Sequence, residues 1–361
     1  MADSLKDMFN AARYRSLASE LTALSPVFNA TAFIDHTLTG LSSRELMDRM
    51  RRTSTGVAVA LPLPYREQLA VLHALAPRID RGFIGIFLSD FVAQHGLDDV
   101  PASLDALRFF TRHGSAEFAI RPFILRDQAA TLAVLQTWAV SDDEHIRRLA
   151  SEGSRPRLPW GARLQSLVAN PSPTLPILTT LCADPSLYVR KSVANHLNDI
   201  SKDHPDVALD LVSTWDRSAP HTAWIIRHAL RTLIKRGHPR ALALLGAGTA
   251  PKLDATFTVT PKRIHLCDTI AFTATLTSTA RRPQSLLIDY VVHYARSSGK
   301  ASEKVFKWTQ LDLAPGATIA LTKRQTIRDF STRRHHAGRH RIELQINGRR
   351  LAETAFTLSI T

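Results

Sequence analysis

The sequence predicts a multidomain protein in which an all-helical part is followed by an all-β part. Apolar residues recur at helical spacing up to about residue 245, and short alternating segments rich in β-branched residues follow. A short motif also repeats within the helical part, which indicates a fold built from repeated units. With 361 residues, 44% of them hydrophobic, the chain is long enough to build more than one core.

The helical part is predicted over residues 1–250, with segments such as REQLAVLHALAPRI and WIIRHALRTLIKRG. An aliphatic residue directly before an arginine recurs there, each time with a predicted helix behind it. The pairs are Ile120-Arg121, Ile146-Arg147, Val189-Arg190 and Ile226-Arg227. The last three pairs are separated by 43 and 37 residues, which are periods of HEAT-like helix pairs. The expected fold is therefore an N-terminal α-solenoid of HEAT-like helix pairs.

The arginines of this repeat are the first candidates for binding a ligand. One helix of each HEAT-like pair lines the concave face of a solenoid, where regularly spaced cations suit a phosphate backbone. The candidates are Arg121, Arg147, Arg190 and Arg227. Alternatively, the same arginines pair with aspartates of neighbouring repeats, and the repeat alone favours neither interpretation.

The β part is predicted over residues 251–361. Seven alternating segments occur there, among them ATFTVTP, LLIDYVVHYAR and IHLCDTIAFTATLTST, each counted as one strand. Turn signals such as Pro315-Gly316 and Asn347-Gly348 lie between segments. Seven strands in about 110 residues, without a helix, are typical of an immunoglobulin-like β-sandwich.

The charge of the chain predicts a polyanionic partner. The formal net charge is +14, and residues 251–361 hold 18 Lys and Arg against 8 Asp and Glu. Residues 323–341, which we call the basic run, contain seven Lys and Arg and three His. A field of this sign attracts nucleic acid first and an anionic membrane surface second. The candidate contacts in the basic run are Arg333, Arg334, His336 and Arg339.

Several other classes of protein are not favoured. No apolar run is long enough to span a membrane, and the first residues do not resemble a secretory signal, so a cytoplasmic location is expected. Cys182 and Cys267 lie far apart without a ligand-spaced partner, so neither a disulfide framework nor a metal site is expected, and both are predicted to be buried. No Gly-rich phosphate loop or lysine nucleophile motif is visible. We therefore expect no cofactor.

A candidate chemical site lies at the stretch IRRLASEGSRPRLPWG, residues 146–161. Glu152 ends the predicted helix, and a proline-stiffened loop leads to Trp160, whose indole would suit a cation or a sugar. Successive repeats add two further acids, Glu117 and Asp199. Arg155 and Arg157 of the loop are candidate phosphate contacts. The simpler alternative is that Trp160 fills a gap between helix pairs in the core.

Three stretches closely resemble the AlkC branch of the AlkC/AlkD alkylpurine DNA glycosylases. They are SAEFAIRPFI, IRRLASEGSRPRLPWG and DPSLYVRKSVANHLNDISKDHPD. The resemblance runs over most of residues 1–245, and members with an added immunoglobulin-like domain fit residues 255–361. It implies excision of cationic alkylated bases from duplex DNA, with 3-methylcytosine and 1-methyladenine as lesions of this branch and 3-methyladenine of the wider group. It also implies an approach without a pocket enclosing the base, and functional roles for Glu117, Glu152 and Trp160, with Asp199 as a fourth residue.

Two other functions remain open from the sequence. A non-catalytic HEAT-repeat scaffold would use the same basic surface to hold DNA or an acidic protein. An RNA-binding module would use it as well, because phosphate contacts do not distinguish DNA from RNA.

Overall fold

The computed structural model describes residues 5–296, 302–330 and 333–360. The chain forms two compact units, Met1–Ala229 and Leu230–Thr361. The division precedes the boundary expected near residue 250, because two short helices after Ala229 belong to the same unit as the strands.

The described part of the first unit contains fourteen α-helices, most of them short and separated by tight turns. Side chains cap several N-termini, as where Asn10 accepts from the Arg13 amide and Asp143 from the His145 amide. The helices are α1 (Ala11–Leu24), α2 (Ala30–Leu38), α3 (Leu46–Ala60), α4 (Tyr65–Leu75), α5 (Ile86–His95), α6 (Val100–Phe110), α7 (Arg121–Arg126), α8 (Gln128–Trp138), α9 (Glu144–Gly153), α10 (Gln165–Ala169), α11 (Leu175–Thr180), α12 (Leu187–Asp203), α13 (Pro205–Ser213) and α14 (Pro220–Ala229).

The predicted repeat is confirmed in the packing of α9, α12 and α14. Ile146 and Val189 are each the third residue of their helix, Ile226 lies later in its helix, and all three are buried. Helix α12 packs against both α9 and α14, so the three helices form one layer. Helices α8 and α11 both pack against α9 and against each other.

The second unit begins with α15 (Arg231–Lys235) and α16 (Pro239–Leu244), which precede an immunoglobulin-like β-sandwich. One sheet has the order β1-β3-β6 and the other β2-β8-β7-β4-β5. The strands are β1 (Leu253–Thr260), β2 (Arg263–His265), β3 (Thr269–Ser278), β4 (Gln284–Tyr294), β5 (Ser302–Leu313), β6 (Thr318–Thr326), β7 (Gly338–Ile346) and β8 (Arg349–Ser359). Alternate residues of both sheets, such as Phe272, Ile288 and Phe356, form the core between them.

The described residues therefore form eight strands where the sequence pattern predicts seven. The segment counted as one strand breaks at Cys267, which has a φ of 78°, and the Asp268 carboxylate accepts from the His265 amide to close the turn. Strand β2 then pairs in parallel with β8, while β3 pairs with β1 and β6 in the other sheet. Cys267 is exposed at this turn, so the prediction that it is buried is wrong.

Candidate active site

An open cleft in the first unit brings together three of the four predicted catalytic residues. Its volume is about 460 Å³. It is lined by Glu117 from the turn before α7, Glu152 from the last turn of α9 and Trp160 from the loop after α9. The predicted convergence of acids from successive repeats is thus present for Glu117 and Glu152.

Arg148 joins the two acids. It lies on α9 one turn before Glu152, and its guanidinium ion-pairs with Glu117 and, at 3.5 Å, with Glu152. The Ser115 hydroxyl lies 2.7 Å from Glu117 Oε2 and 2.6 Å from Arg148 Nη1, which fixes the first pair further. Burial opposes the charge of Arg148, but the charges of Glu152 and Glu117 outweigh it and raise the pKa of the guanidinium. The cleft therefore holds two carboxylates and a permanent cation in fixed positions.

Asp199 lies behind this group. Arg155 donates to Glu152 Oε1 at 2.6 Å and to Asp199 Oδ2 at 2.8–2.9 Å, and Lys202 lies 2.9 Å from the other Asp199 oxygen. Asp199 is buried, and Arg155 separates it from Glu152. Asp199 thus shares Arg155 with Glu152, and its role as a catalytic acid stays a prediction.

Trp160 stands on the rim of the cleft. Its side chain is 67% exposed, and its φ of 64° turns the chain sharply after Pro159. Within residues 154–164, which we call the tryptophan loop, the Leu164 amide donates to the Pro156 carbonyl at 3.2 Å. The indole therefore lines the cleft, and the alternative in which it fills the core is excluded.

Arg121 holds the tryptophan loop at both ends. It is buried at the start of α7 and donates to the carbonyl oxygens of Gly153 and Arg155, both at 2.9 Å, and of Ala162 at 2.6 Å. Burial lowers its pKa to about 10. The prediction that Arg121 contacts a phosphate is wrong, because its donors face the loop backbone. Arg155 is also buried, between Glu152 and Asp199, but it lines the cleft, and its predicted phosphate contact stays a prediction.

Two of the other repeat arginines, Arg147 and Arg190, make contacts within the fold, and their phosphate contacts stay predictions. Arg147 and Arg190 each donate to the carbonyl oxygens five and six positions earlier, at the turn before their helix. Arg147 makes a two-point ion pair with Asp184 of the next repeat at 2.7 and 3.2 Å, and Arg190 lies over the Trp224 ring. These contacts favour pairing between repeats over a row of free cations. Arg227 is exposed, so its phosphate contact stays a prediction.

Arg157, the second loop arginine, has a different environment from Arg155. Its guanidinium ion-pairs with Asp203 at 2.7 and 2.8 Å near the surface. Because the pair is partly exposed, a phosphate can replace the carboxylate, and the predicted contact stays a prediction.

Arg148 and Tyr188 are among the side chains of the cleft that the sequence analysis did not identify. Tyr188 lies on α12, and the Arg148 guanidinium lies 5.1 Å from its ring centroid. The signal that could have found Arg148 is its spacing of four residues from Glu152, which places both on one face of a helix. Nothing in the sequence pattern marks Tyr188, because it precedes the repeat pair Val189-Arg190 and matches no other copy.

The predicted contacts of the basic run lie on the sandwich. Arg334 and Arg339 are exposed, and His336 is half-buried. Arg333 lies 4.4 Å from the Tyr294 ring centroid. All four stay predictions as DNA contacts.

Neither a metal centre nor a membrane segment emerges from the described ranges. Within residues 5–296, 302–330 and 333–360, no three His, Cys, Asp or Glu side chains are grouped to hold a metal ion. None of the helices in those ranges combines the length and hydropathy that a membrane span requires.

Comparison with known proteins matches both parts of the chain. Residues 111–233, which contain the carboxylate pair and Trp160, match the model of the family described as DNA alkylation repair enzyme. Residues 254–360 match the family described as the C-terminal Ig-like domain of the uncharacterised protein YhaZ. The helical unit with its cleft thus falls into a class of DNA repair proteins.

Two full-length relatives define the family more narrowly. The structure of Pseudomonas fluorescens alkylpurine DNA glycosylase AlkC, bound to DNA containing an abasic site analog, is 49% identical, covers 98% of this chain and 99% of that chain, and has a TM-score of 0.95. The uncharacterized protein YhaZ of Bacillus subtilis (strain 168) is 41% identical over 350 residues, which are 96% of this chain and 97% of YhaZ. The chain therefore belongs to the AlkC family of DNA alkylation repair proteins.

Proposed function

We propose that the protein is a monofunctional DNA glycosylase that hydrolyses the N-glycosidic bond of cationic alkylated bases in duplex DNA. The substrates proposed are 3-methylcytosine and 1-methyladenine, with 3-methyladenine as a further candidate. The observation that carries the proposal is the pair Glu117 and Glu152, joined by Arg148 in an open cleft beside an exposed indole. The chemistry requires no cofactor, and we propose that it takes place in the bacterial cytoplasm on the nucleoid.

The chemistry of a cationic base suits this set of residues. An alkylated base that carries a positive charge leaves as a neutral molecule, so no general acid has to protonate it. The remaining demands are stabilisation of a deoxyribose with oxocarbenium character and delivery of a water to C1′. A carboxylate beside the sugar meets the first demand electrostatically and the second as a general base.

Arg148 gives the two carboxylates their separate positions. Its ion pairs hold Glu117 and Glu152 on either side of one guanidinium, and both acids line the cleft. Arg155 anchors Glu152 from behind. The acids are thus preorganised, which lowers the cost of reorganisation when positive charge develops on the sugar.

Trp160 supplies a flat, exposed surface at the same place. The face of an indole attracts cations and polarised C–H groups, and both are present on an alkylated nucleoside. The cleft is open, and Trp160 is exposed at its rim. This shape supports excision in which the lesion is approached from the backbone, whereas an enzyme that turns the base outward needs a fitted pocket.

The experiment is excision from a duplex that carries a single 3-methylcytosine. We expect wild type to produce an alkali-labile abasic site and Glu152→Gln, which keeps the shape but not the charge, to produce almost none. Glu144→Gln is the matched control, because Glu144 lies on the same helix and is exposed. We expect this control to retain full activity.

Two results would contradict the proposal. A wild-type protein that binds the lesion duplex and leaves it intact is the non-catalytic scaffold. Undiminished excision by Glu152→Gln would remove Glu152 from the reaction. Repeating the assay with 1-methyladenine and 3-methyladenine gives the order of substrates.

A further inference from the structure

The second unit contains a cleft of its own that the proposed chemistry does not use. It has a volume of about 420 Å³, within the range of small-molecule sites. It lies against strands β4, β5 and β6 and against the basic run. We call it the aromatic cleft, after Tyr290, Tyr294, Phe306 and Phe330, which line it.

Two of the aromatic residues form one stacked surface, and a third ring is exposed beside it. Phe306 stacks on Tyr290 with their centroids 5.0 Å apart and an angle of 11° between the rings. Phe330 is 52% exposed, and two backbone hydrogen bonds between Phe330 and Arg333 hold its backbone in position. An exposed large ring beside a concave aromatic surface indicates a binding site more than a gap in a core.

Cations lie over the same rings. The Arg333 guanidinium is 4.4 Å from the Tyr294 centroid, and the Lys304 ammonium is 5.1 Å from the Phe306 centroid. Burial lowers the pKa of Lys304, and the nearby charges of Arg333 and Lys235 lower it further. Among the described residues, none of those that line the cleft is an acid, and the neighbouring Asp329 is engaged by His335 at 3.2 Å. The positive charge is therefore uncompensated.

A polar acceptor adds to this surface. Gln325 lines the cleft, and within the described part of the chain its buried Oε1 atom has no hydrogen-bond partner. An acceptor that is buried without a partner is unfavourable, so a ligand that donates a hydrogen bond to it is favoured. The amino and imino groups of nucleobases are donors of this kind.

We propose that the aromatic cleft binds one unpaired nucleotide of single-stranded DNA. Stacking rings combined with uncompensated cations are the arrangement by which proteins hold single strands, with the base on a ring and the phosphate at a cation. Paired duplex DNA does not offer a free base face, and an acidic peptide offers charge without a ring to stack. The site is separate from the carboxylate cleft, and its binding does not depend on excision.

The test uses the full chain and an undamaged oligothymidylate labelled with fluorescein, measured by fluorescence anisotropy. A fully paired hairpin of equal length is the second probe. Phe330→Ala removes a stacking ring without changing charge, and we expect it to weaken oligothymidylate binding roughly tenfold. Binding of the hairpin should stay within about twofold. Because Phe330 is exposed, its replacement should leave the melting temperature unchanged.

Two control variants separate the cleft from the rest of the sandwich. Leu351→Ala removes another exposed apolar side chain, and Arg324→Ala removes an exposed cation outside the cleft. We expect both to bind oligothymidylate as wild type does, and Lys304→Ala to weaken it. Equal losses for Phe330→Ala and Leu351→Ala, equal effects on both probes, or displacement by polyglutamate as effective as by oligothymidylate would overturn the proposal.

Discussion

Trp160 combines two features that each lower stability. A bulky residue at a φ of 64° costs about 1–2 kcal/mol, and its exposed indole gains little from burial. The fold maintains both because Arg121 and the loop hydrogen bonds determine the backbone there. Strain of this kind at the rim of a cleft indicates a residue kept for contact with a ligand.

The replacement Trp160→Gly should therefore separate stability from activity. Glycine adopts a positive φ freely, so we expect the free energy of unfolding to rise by about 1 kcal/mol. Excision of 3-methylcytosine in single-turnover reactions should fall roughly tenfold with the loss of the indole. Trp160→Ala, which loses the ring but keeps the strain, is the control. A lower melting temperature for Trp160→Gly would show instead that the indole stabilises the fold.

Asp289 links the stability of the sandwich to pH. It lies on β4 opposite Gln345 of β7 and Lys307 of β5, and burial raises its pKa to about 6, against the effect of Lys235 and these neighbours. The folded state keeps this proton up to about pH 6, whereas the unfolded chain releases it near 3.8. The folded state therefore binds more protons in this window, and stability falls as the pH rises through it.

The replacement Asp289→Asn should remove this loss. We expect the variant to be about 2 kcal/mol more stable than wild type at about pH 7.5, with a smaller gain at about pH 4, as measured by urea unfolding. His340, whose pKa burial lowers, titrates in both proteins, so its contribution cancels in the comparison. An equal gain at both pH values would assign the effect to packing and not to ionisation.

At the residue scale, the sequence located the acids and the indole but not the cation between them. The repeat singled out Arg147, and the structure uses Arg148 in the cleft. Neighbouring residues of a helix point in directions about 100° apart. A prediction that is wrong by one position therefore selects Arg147, which contacts the next repeat, in place of Arg148, which lines the cleft. A repeat locates buried positions such as Ile146 well, because burial spans a broad face. It locates a single polar position poorly.

At the scale of elements, the tryptophan loop depends on one side chain from another helix. Arg121→Lys keeps the charge but cannot reach the carbonyl oxygens of Gly153, Arg155 and Ala162 together. We expect the free energy of unfolding to fall by about 2–4 kcal/mol and excision to fall further than binding of the lesion duplex.

Arg126→Lys is the matched control for this prediction. Arg126 ends the same helix and is exposed, so its replacement should leave both stability and excision near wild type. If Arg121→Lys lowered stability and left excision per folded molecule unchanged, the loop would not depend on Arg121 for its active geometry.

Strands were easier to predict than their connections. Alternation locates strands such as β1, β3 and β6, because each has one face in the core, whereas β4 is buried along most of its length and is marked by a continuous apolar run. The break between β2 and β3 was not predicted, because cysteine is not a residue type that indicates a positive φ, as Cys267 has. The contacts between Arg121 and the tryptophan loop were not predicted for a related reason. A hydrogen bond from a side chain to a carbonyl group far along the chain produces no periodic pattern in the sequence.

At the scale of the whole molecule, the excess of positive charge in residues 251–361 predicts salt-sensitive binding of DNA. Replacing Arg334 and Arg339 together by Ala should weaken binding of an undamaged duplex. It should also reduce the slope of log K against log salt by about 2, since each lost phosphate contact contributes about 0.9. Replacing Arg281 and Arg282 removes the same charge from another exposed part of the sandwich and should change the slope less. Equal changes would indicate a diffuse field and no local contact.

Whole-molecule properties were the most predictable from the sequence. The change from helical to alternating periodicity separates the two folds, because each period reflects the geometry of a backbone and not of one contact. The similarity to AlkC over nearly the full chain agrees with that reading.

The manner in which Arg121 holds the tryptophan loop bears on how this site could be altered by evolution or engineering. Among the described residues, its hydrogen bonds go to main-chain oxygens, at Gly153, Arg155 and Ala162. The attachment therefore uses no side-chain donor or acceptor of the loop, although Gly161 has to stay small because it packs against Arg121 and Leu158. The exposed side chain at position 160 can thus be replaced while the backbone that carries it keeps its hydrogen bonds.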